Sequence, residues 1–124
     1  MQSSLKDEIS LYLQISEMIE TDILRGILLE DERVPSTNEL SKLYTINPAT
    51  AAKGVNLLVE AGILYKKRGI GMFVCPGAAD VIRRKRRQAF FSQRLTSLLQ
   101  EAQRLGITKQ ELIAYLEQRN EETL

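Results

Sequence analysis

Apolar residues recur every three or four positions near the start of the chain, which is the spacing of one face of an α-helix. We predict an amphipathic helix over about residues 10–25, with Gly26 as its stop and residues 1–8 as a frayed start. The apolar face of this helix is formed by Tyr12, Ile15, Ile19 and Ile23. We interpret the helix as a scaffold that packs on a core.

Two helices with clear start signals come next. Ser36 with Glu39 three residues later forms a capping box, in which each side chain accepts from the main-chain amide of the other residue. Asn47 supplies a second N-cap, and Pro48 fits the first helical position, where no N–H donor is needed. The apolar spacing after Pro48 predicts a helix to about residue 60. The pattern therefore indicates two helices separated by a tight turn.

A hairpin completes this region. Gly62 ends the second of these helices, and two runs rich in strand-forming residues, 63–66 and 72–75, are joined by KKRGIG. Residues 27–34 could supply one more short strand. Helix, tight turn, helix and basic hairpin together predict a winged helix-turn-helix, a fold that places one helix in the major groove of DNA.

A second helical region follows the Pro-Gly break at residues 76–77. Its pattern predicts a long helix over about residues 79–105, with Gly106 as the stop. Thr108 with Glu111 forms another capping box, which starts a last helix. The chain is therefore expected to end in two consecutive helices.

The expected architecture is mainly α with a small β-wing: a winged helix-turn-helix domain at residues 1–77 and a two-helix dimerisation hairpin at residues 78–124. At 1.5 Å per residue the long helix would measure roughly 40 Å, too long to be covered by a small winged domain. A second copy of the chain could cover both helices in a four-helix interface. The alternative is that the long helix folds back on its own winged domain. The expected interface residues are Phe91, Leu95, Leu98, Ala102, Leu112 and Leu116.

Charge is distributed unevenly along the 124 residues, whose formal net charge is +1. Residues 36–94 carry eleven basic and three acidic side chains, whereas residues 1–35 carry three basic and eight acidic ones and residues 95–124 carry three basic and five acidic ones. The basic middle contains the second helix of the pair and the hairpin, where attraction to phosphate would be needed. We expect the acidic face of the first helix to point away from DNA, since carboxylates beside phosphates cost energy; this face is formed by Glu17, Glu20 and Asp22.

Composition argues against several classes of function. With no histidine and one cysteine the chain has no Cys/His metal set, and we expect no metal or other cofactor. No paired acids stand in a glycine-rich or nucleophile context, so we do not expect an enzyme. Cys75 is expected to be a small buried residue at a strand end. No apolar run approaches the ~20 residues of a membrane span and no signal peptide is visible, which predicts a cytoplasmic protein without a membrane partner.

Four separated segments resemble the DNA-binding domain of GntR-family transcription regulators, over roughly residues 9–75. They are YLQISEMI, VPSTNELSKLY, INPATAAKGVNLLVEAGIL and KKRGIGMFV, in the order and spacing of that family. The short two-helix tail is similar to the YtrA-like subfamily, whose members often control transporter operons. The resemblance implies a homodimeric repressor that binds double-stranded operator DNA, and a two-fold dimer predicts an inverted-repeat operator. It identifies no small-molecule effector.

In the resembled family, the start of the recognition helix and the tip of the wing touch DNA. Carried over by position, the contact residues are Asn47, Ala49, Thr50 and Lys53 on the helix and Lys67, Arg68 and Gly69 on the wing. Ser36 and Asn38, at the start of the preceding helix, are positioned for phosphate. Asn47 also fits a purely capping role. The chain departs from many relatives because Asn38, Pro48 and Ala52 stand where those have arginine. Bidentate guanine contacts are therefore expected to matter less here.

Two alternatives stay open. The basic run at residues 83–87 sweeps more than one helical turn, so its members either contact phosphates that flank the site or stay solvated or paired with the acidic first helix. The alternative function is a winged helix that serves as a protein-interaction module without specific DNA binding. The cations Lys53, Lys66, Lys67 and Arg68 argue against that alternative.

Overall fold

The computed structural model describes residues 3–119, with side chains from residue 11 onward, and confirms a mainly α fold with a small β-wing. Contacts divide the chain into two compact units, Met1–Lys85 and Arg86–Leu124. The predicted division after Gly77 stays a prediction. In the described part of the chain the elements are α1 (Ser3–Leu24), α2 (Thr37–Tyr44), α3 (Pro48–Glu60), β1 (Leu64–Lys67), β2 (Gly71–Val74), α4 (Ala78–Ala89), a π-helix (Phe90–Leu95), α5 (Thr96–Arg104) and α6 (Lys109–Glu117).

The first helix is longer than its apolar pattern indicated. The helix begins at Ser3, so the predicted start near residue 10 is wrong. Residues 3–8, which were expected to be frayed, are helical. Apolar periodicity marks only the part of a helix that packs on a core, whereas the preceding SSLKDE contains no helix-breaking Gly or Pro. Residues 1 and 2 lie outside the described part of the chain.

The core of the first unit draws on the helices, the wing and the start of α4. Ile15, Ile19 and Ile23 are buried on α1, as their spacing predicted, and Tyr12 is half-buried. The start of α4 also belongs to this core, since Ala78 and Ile82 are fully buried. The remaining members of the core cluster are Val34, Leu40, Ala51, Val55, Leu58, Ile63, Leu64 and Val74.

The wing is a two-stranded antiparallel sheet in which Leu64 pairs with Val74 and Lys67 with Gly71. Each strand lies within one residue of its predicted position. The extra strand expected from residues 27–34 is reduced to a single bridge between Arg33 and Phe73. This bridge holds the loop before α2 against β2 of the wing.

Glu20, one of the acidic residues of α1, is buried. Its side chain is only 3% exposed and forms an ion pair with Lys85 of α4. A buried carboxylate is tolerated where a cation partner offsets part of its lost hydration. The same contact assigns Lys85 of the basic run to pairing with the first helix, while Arg83 pairs with Asp80 on α4 itself, at 2.9 Å.

The predicted continuous α-helix over residues 79–105 is wrong across Phe90–Leu95, which form a π-helix. The hydroxyl of Thr96 donates a 3.0 Å hydrogen bond to the Phe91 carbonyl oxygen five residues earlier, and a side chain that competes for a main-chain acceptor favours such local rearrangement. The capping box of α6 is confirmed, because the Thr108 hydroxyl accepts from the Glu111 amide at 3.1 Å.

Apolar side chains of the second unit are largely exposed in the single chain. Of the six predicted interface residues, Ala102 is buried, Leu95 and Leu112 are half-buried, and Phe91, Leu98 and Leu116 are each more than half exposed. A helical unit cannot leave such a surface in water without cost, since each buried apolar side chain contributes about 1.5–3 kcal/mol.

Candidate nucleic-acid interface

The turn between α2 and α3 is fixed by local hydrogen bonds. Thr45 adopts a left-handed conformation, with φ of 53°, and its amide donates to the Ser41 carbonyl. The Ser41 hydroxyl in turn donates a 2.6 Å hydrogen bond to the carbonyl of Ile46. These contacts set the direction in which the chain enters α3.

The start of α3 is capped as the sequence predicted. The side-chain oxygen of Asn47 accepts a 2.8 Å hydrogen bond from the Ala49 amide, and Pro48 occupies the first helical turn. The capping role of Asn47 is thereby confirmed, and its side-chain NH₂ is the group that could still donate to a base or phosphate. Ala49 is exposed and Thr50 half-exposed beside it. Main-chain amides at a helix start also attract anions, so this end of α3 suits a phosphate.

Lys53 extends from the next turn of α3 over an aromatic ring of α1. Its ammonium nitrogen lies 4.4 Å from the centroid of the Tyr12 ring, within the range of a cation–π contact. The contact restricts where an otherwise flexible lysine can reach. Tyr12 was assigned only to the apolar face of α1, because nothing in the helical spacing shows that its ring faces α3.

The wing places its cations at the end of the hairpin. An amide-to-carbonyl hydrogen bond of 2.9 Å from Ile70 to Lys67 closes the turn, and Arg68 and Gly69 lie exposed between these residues. The Lys67 ammonium lies 4.7 Å from the centroid of the Phe73 ring, so this side chain is held along the hairpin.

A tyrosine joins the base of the wing to the loop before α2. Tyr65 on β1 donates a 2.7 Å hydrogen bond from its hydroxyl to the carboxylate of Asp31. This hydrogen bond is the main reason that the pKa of Tyr65 lies above its ordinary value of 10.0. The phenol therefore stays protonated and keeps donating across the physiological pH range.

The first turn of α2 carries a complete capping box. The Ser36 hydroxyl accepts from the Glu39 amide at 3.1 Å, and the Glu39 carboxylate accepts from the Ser36 amide at 2.9 Å. The hydrogen bond from the Ser36 main chain lowers the pKa of Glu39, assisted by the Ser36 hydroxyl and the charge of Arg33.

Arg33 is the residue of this region that sequence reasoning missed. Its guanidinium lies between the wing and α2, with Nη2 3.5 Å from a carboxylate oxygen of Glu39 and Nε donating at 3.4 Å to the Ile70 carbonyl. In the sequence it follows three acidic residues, within the segment 27–34 that was expected only to supply a short strand. Its position just before the Ser36 cap was the signal that could have drawn attention to it.

The predicted contact residues fall on three neighbouring parts of the chain, all in the first unit. Seven of the nine are exposed, and the other two, Ser36 and Thr50, are half-exposed. The seven are Asn38, Asn47, Ala49, Lys53, Lys67, Arg68 and Gly69. Contact of these residues with DNA stays a prediction.

Other chemistry is sparse in the described residues. Cys75 is half-buried against the core, and burial, with the nearby charge of Asp31, raises the pKa of its thiol above 9.0. A protonated thiol is a poor nucleophile and metal ligand, which fits a packing role. Among the side chains of residues 11–119, no group of three or more His, Cys, Asp or Glu is arranged to hold a metal ion. None of the helices described is both long and apolar enough to cross a bilayer.

Known proteins resemble this chain either over its DNA-binding part alone or over most of its length. The family model "Bacterial regulatory proteins, gntR family" matches residues 11–74. The HTH-type transcriptional regulator YhcF of Bacillus subtilis is 28% identical over 103 residues, which are 83% of this chain and 84% of YhcF. The HTH-type transcriptional repressor YtrA of the same species is 24% identical over 108 residues, 87% of this chain and 82% of YtrA.

Solved structures also match this chain, either over most of its length or over about half of it. A GntR-family transcriptional regulator from Bacteroides thetaiotaomicron superposes with a TM-score of 0.69 at 33% identity, covering 88% of this chain and 98% of that chain. The DNA-binding domain of AraR in complex with an operator superposes with a TM-score of 0.50 at 36% identity, over 52% of this chain and 77% of that chain.

Some relatives are much longer than this chain. YurK of Bacillus subtilis is 36% identical over 64 residues, and the aligned part is 52% of this chain but only 26% of YurK. The chain thus spans about a quarter of the length of that relative, and more than four fifths of YhcF and YtrA.

Proposed function

Because this chain belongs to the GntR family of bacterial regulatory proteins, as its four segments predicted, we propose that it is a sequence-specific DNA-binding transcriptional repressor. The similarity to YtrA and YhcF along most of both chains agrees with the expected YtrA-like subfamily. The relatives are named as transcriptional regulators and repressors, and none of those reported above is named as an enzyme.

The observation that carries the proposal is the capped start of α3 together with the cationic tip of the wing. The Asn47 side chain, the exposed first turn of α3 and its main-chain amides offer donors to bases and phosphates. Arg68 and Lys67 add positive charge at the turn of the wing. In this arrangement α3 enters the major groove, and the wing contacts the adjacent backbone and groove.

A homodimer is proposed from the exposed apolar surface of the second unit. Phe91, Leu98 and Leu116 are each more than half exposed, and a second copy could cover them in a helical interface. Within the single chain, Ala102 is the one buried residue of the two short helices α5 and α6. Burial against a partner would explain why these helices are stable.

The operator is proposed to be an inverted repeat. A two-fold dimer presents two copies of α3 related by symmetry, so each copy reads the same half-site in opposite directions. The target is proposed to be an operon that encodes a transporter, which rests only on the resemblance to the YtrA-like subfamily. This proposal leaves the effector, if the protein has one, unassigned.

Selection from a pool of random-sequence DNA duplexes tests the proposal. The protein should enrich one inverted-repeat sequence, and its affinity for that sequence should fall as salt rises, since each neutralised phosphate contributes about −0.9 to the slope of log K against log salt. A protein-interaction module would enrich no sequence. Enrichment of a single asymmetric half-site under saturating protein would reject the dimeric mode of binding while keeping DNA binding.

A further inference from the structure

Arg33 contacts two separate parts of the first unit through one side chain. Its main chain pairs with Phe73 of the wing in an isolated bridge. From there the side chain reaches the wing turn, where Nε donates at 3.4 Å to the Ile70 carbonyl, and the first turn of α2, where Nη2 lies 3.5 Å from the Glu39 carboxylate. The guanidinium therefore links the wing to the capping box of α2.

The Arg33 side chain lies against the backbone of Gly71 at the wing turn. A Cβ atom on Gly71 would lie 2.8 Å from Nε of Arg33, which is closer than Cβ atoms approach other atoms in proteins. Gly71 also has a φ of 149°, a conformation that L side chains rarely adopt. The arginine thus lies directly against the backbone of the wing turn.

The stability that this link adds to the fold is small. The side chains of Arg33 and Glu39 are about half exposed, at 48% and 54%, and such pairs contribute little because water and salt screen them. Geometry is the more informative property. The planar guanidinium presents donors in fixed directions and can serve two acceptors at once, whereas the single ammonium of a lysine on its flexible stem does not hold two parts in a fixed relation.

We infer that Arg33 is a positioning residue for DNA recognition, which fixes the tip of the wing relative to the first turn of α2. The inference rests on the proposed function and on the expectation that Ser36 and Asn38 at the start of α2 contact the same DNA as Arg68 at the wing. Two contact groups that are already held in register lose less conformational freedom on binding. Arg33 would hold them in register in the free protein.

A double-mutant cycle in DNA binding tests the inference. Affinity for the selected duplex is measured for Arg33→Ala, Arg33→Lys, a wing variant with Lys67→Ala and Arg68→Ala, and the combination of Arg33→Ala with that wing variant. Arg25→Ala, which removes an exposed arginine at the end of α1, controls for loss of charge. Thermal unfolding of each variant controls for the fold.

Arg33→Ala and Arg33→Lys should each weaken binding roughly tenfold, while Arg25→Ala and the unfolding temperatures change little. In the wing variant, Arg33→Ala should have almost no further effect, because there is no wing contact left to position. If Arg33 only stabilised the fold, Arg33→Ala would lower the unfolding temperature. It would also weaken binding by the same factor in the unaltered protein and in the wing variant.

Three results would overturn the inference. If Arg33→Lys binds as tightly as the unaltered protein, the residue supplies charge and not position. If the effects of Arg33→Ala and of the wing variant simply add, Arg33 does not act through the wing. If the unaltered protein enriches no duplex at all, the proposed function fails and the inference with it, which distinguishes that failure from the other two.

Discussion

The hydroxyl of Ser16 donates a 2.6 Å hydrogen bond to the main-chain carbonyl of Gly54, which joins the middle of α1 to the middle of α3. The two helices approach so closely there that a Cβ atom on Gly54 would lie 2.6 Å from the carbonyl oxygen of Tyr12. A glycine inside a helix normally costs stability, about 1 kcal/mol relative to alanine. Position 54 is a glycine because α1 approaches so closely here. The close packing fixes α3, the helix that carries the predicted base contacts.

Gly54→Ala is therefore expected to destabilise the protein, against the usual helix preference. The added methyl group must push α1 and α3 apart, which costs about 1–3 kcal/mol in overpacking and loosens the Ser16 hydrogen bond. Urea unfolding measures the change in the free energy of unfolding. Asn56→Ala, at an exposed position of the same helix, is the matched control and should change it by less than about 0.5 kcal/mol. A Gly54→Ala protein as stable as this control would show that the close packing is not needed.

Local signals predicted the fold around the site well. The caps at Ser36, Asn47 and Thr108 are made by residues only two or three positions from their partners. The order of residue types along the sequence was therefore enough to predict them. The buried state of Glu20 was missed because its cation, Lys85, is 65 residues away, and periodicity cannot show what packs on a helix. Arg33 was missed for the same reason, since the Ile70 carbonyl lies 37 residues away.

Lys85→Ala is expected to lower the free energy of unfolding by about 1–3 kcal/mol, because it removes the cation that pairs with the buried carboxylate of Glu20. Arg84→Ala, at the neighbouring exposed position, removes the same charge and should change the value by less than about 0.5 kcal/mol. Chemical unfolding of both variants makes the comparison. Equal stability of the two would mean that the buried carboxylate does not depend on Lys85.

Acid should weaken the capping box of α2. The folded-state pKa of Glu39 lies below its ordinary value of 4.5, so the unfolded chain takes up the proton first as pH falls. The contribution of the charged carboxylate is therefore complete above pH 4.5 and is lost as pH falls through the lowered pKa. In Glu39→Gln, which keeps a side-chain acceptor but does not titrate, the stability difference from the unaltered protein should be constant above pH 4.5 and shrink below it. A difference that does not vary with pH would contradict this assignment.

The second unit should form the dimer interface. Changing Leu95 and Leu98 together to Glu would place two charges per chain in the proposed interface, at a cost of several kcal/mol, and should give monomers in sedimentation experiments. Leu43→Glu is the matched control, because Leu43 is exposed on α2 in the first unit, and it should leave the dimer intact. A Leu95→Glu/Leu98→Glu protein that still sediments as a dimer would place the interface elsewhere.

Binding of the selected duplex, followed by fluorescence anisotropy over a series of salt concentrations, tests most directly the central claim that α3 reads sequence and the wing contacts the backbone. Thr50→Ala should weaken binding of the selected sequence by about 1 kcal/mol with the salt slope unchanged. Lys67→Ala and Arg68→Ala should weaken selected and random duplexes alike, each lowering the slope by about 1. If all three variants bind both duplexes with the affinity and salt slope of the unaltered protein, α3 and the wing are not the DNA-binding surface.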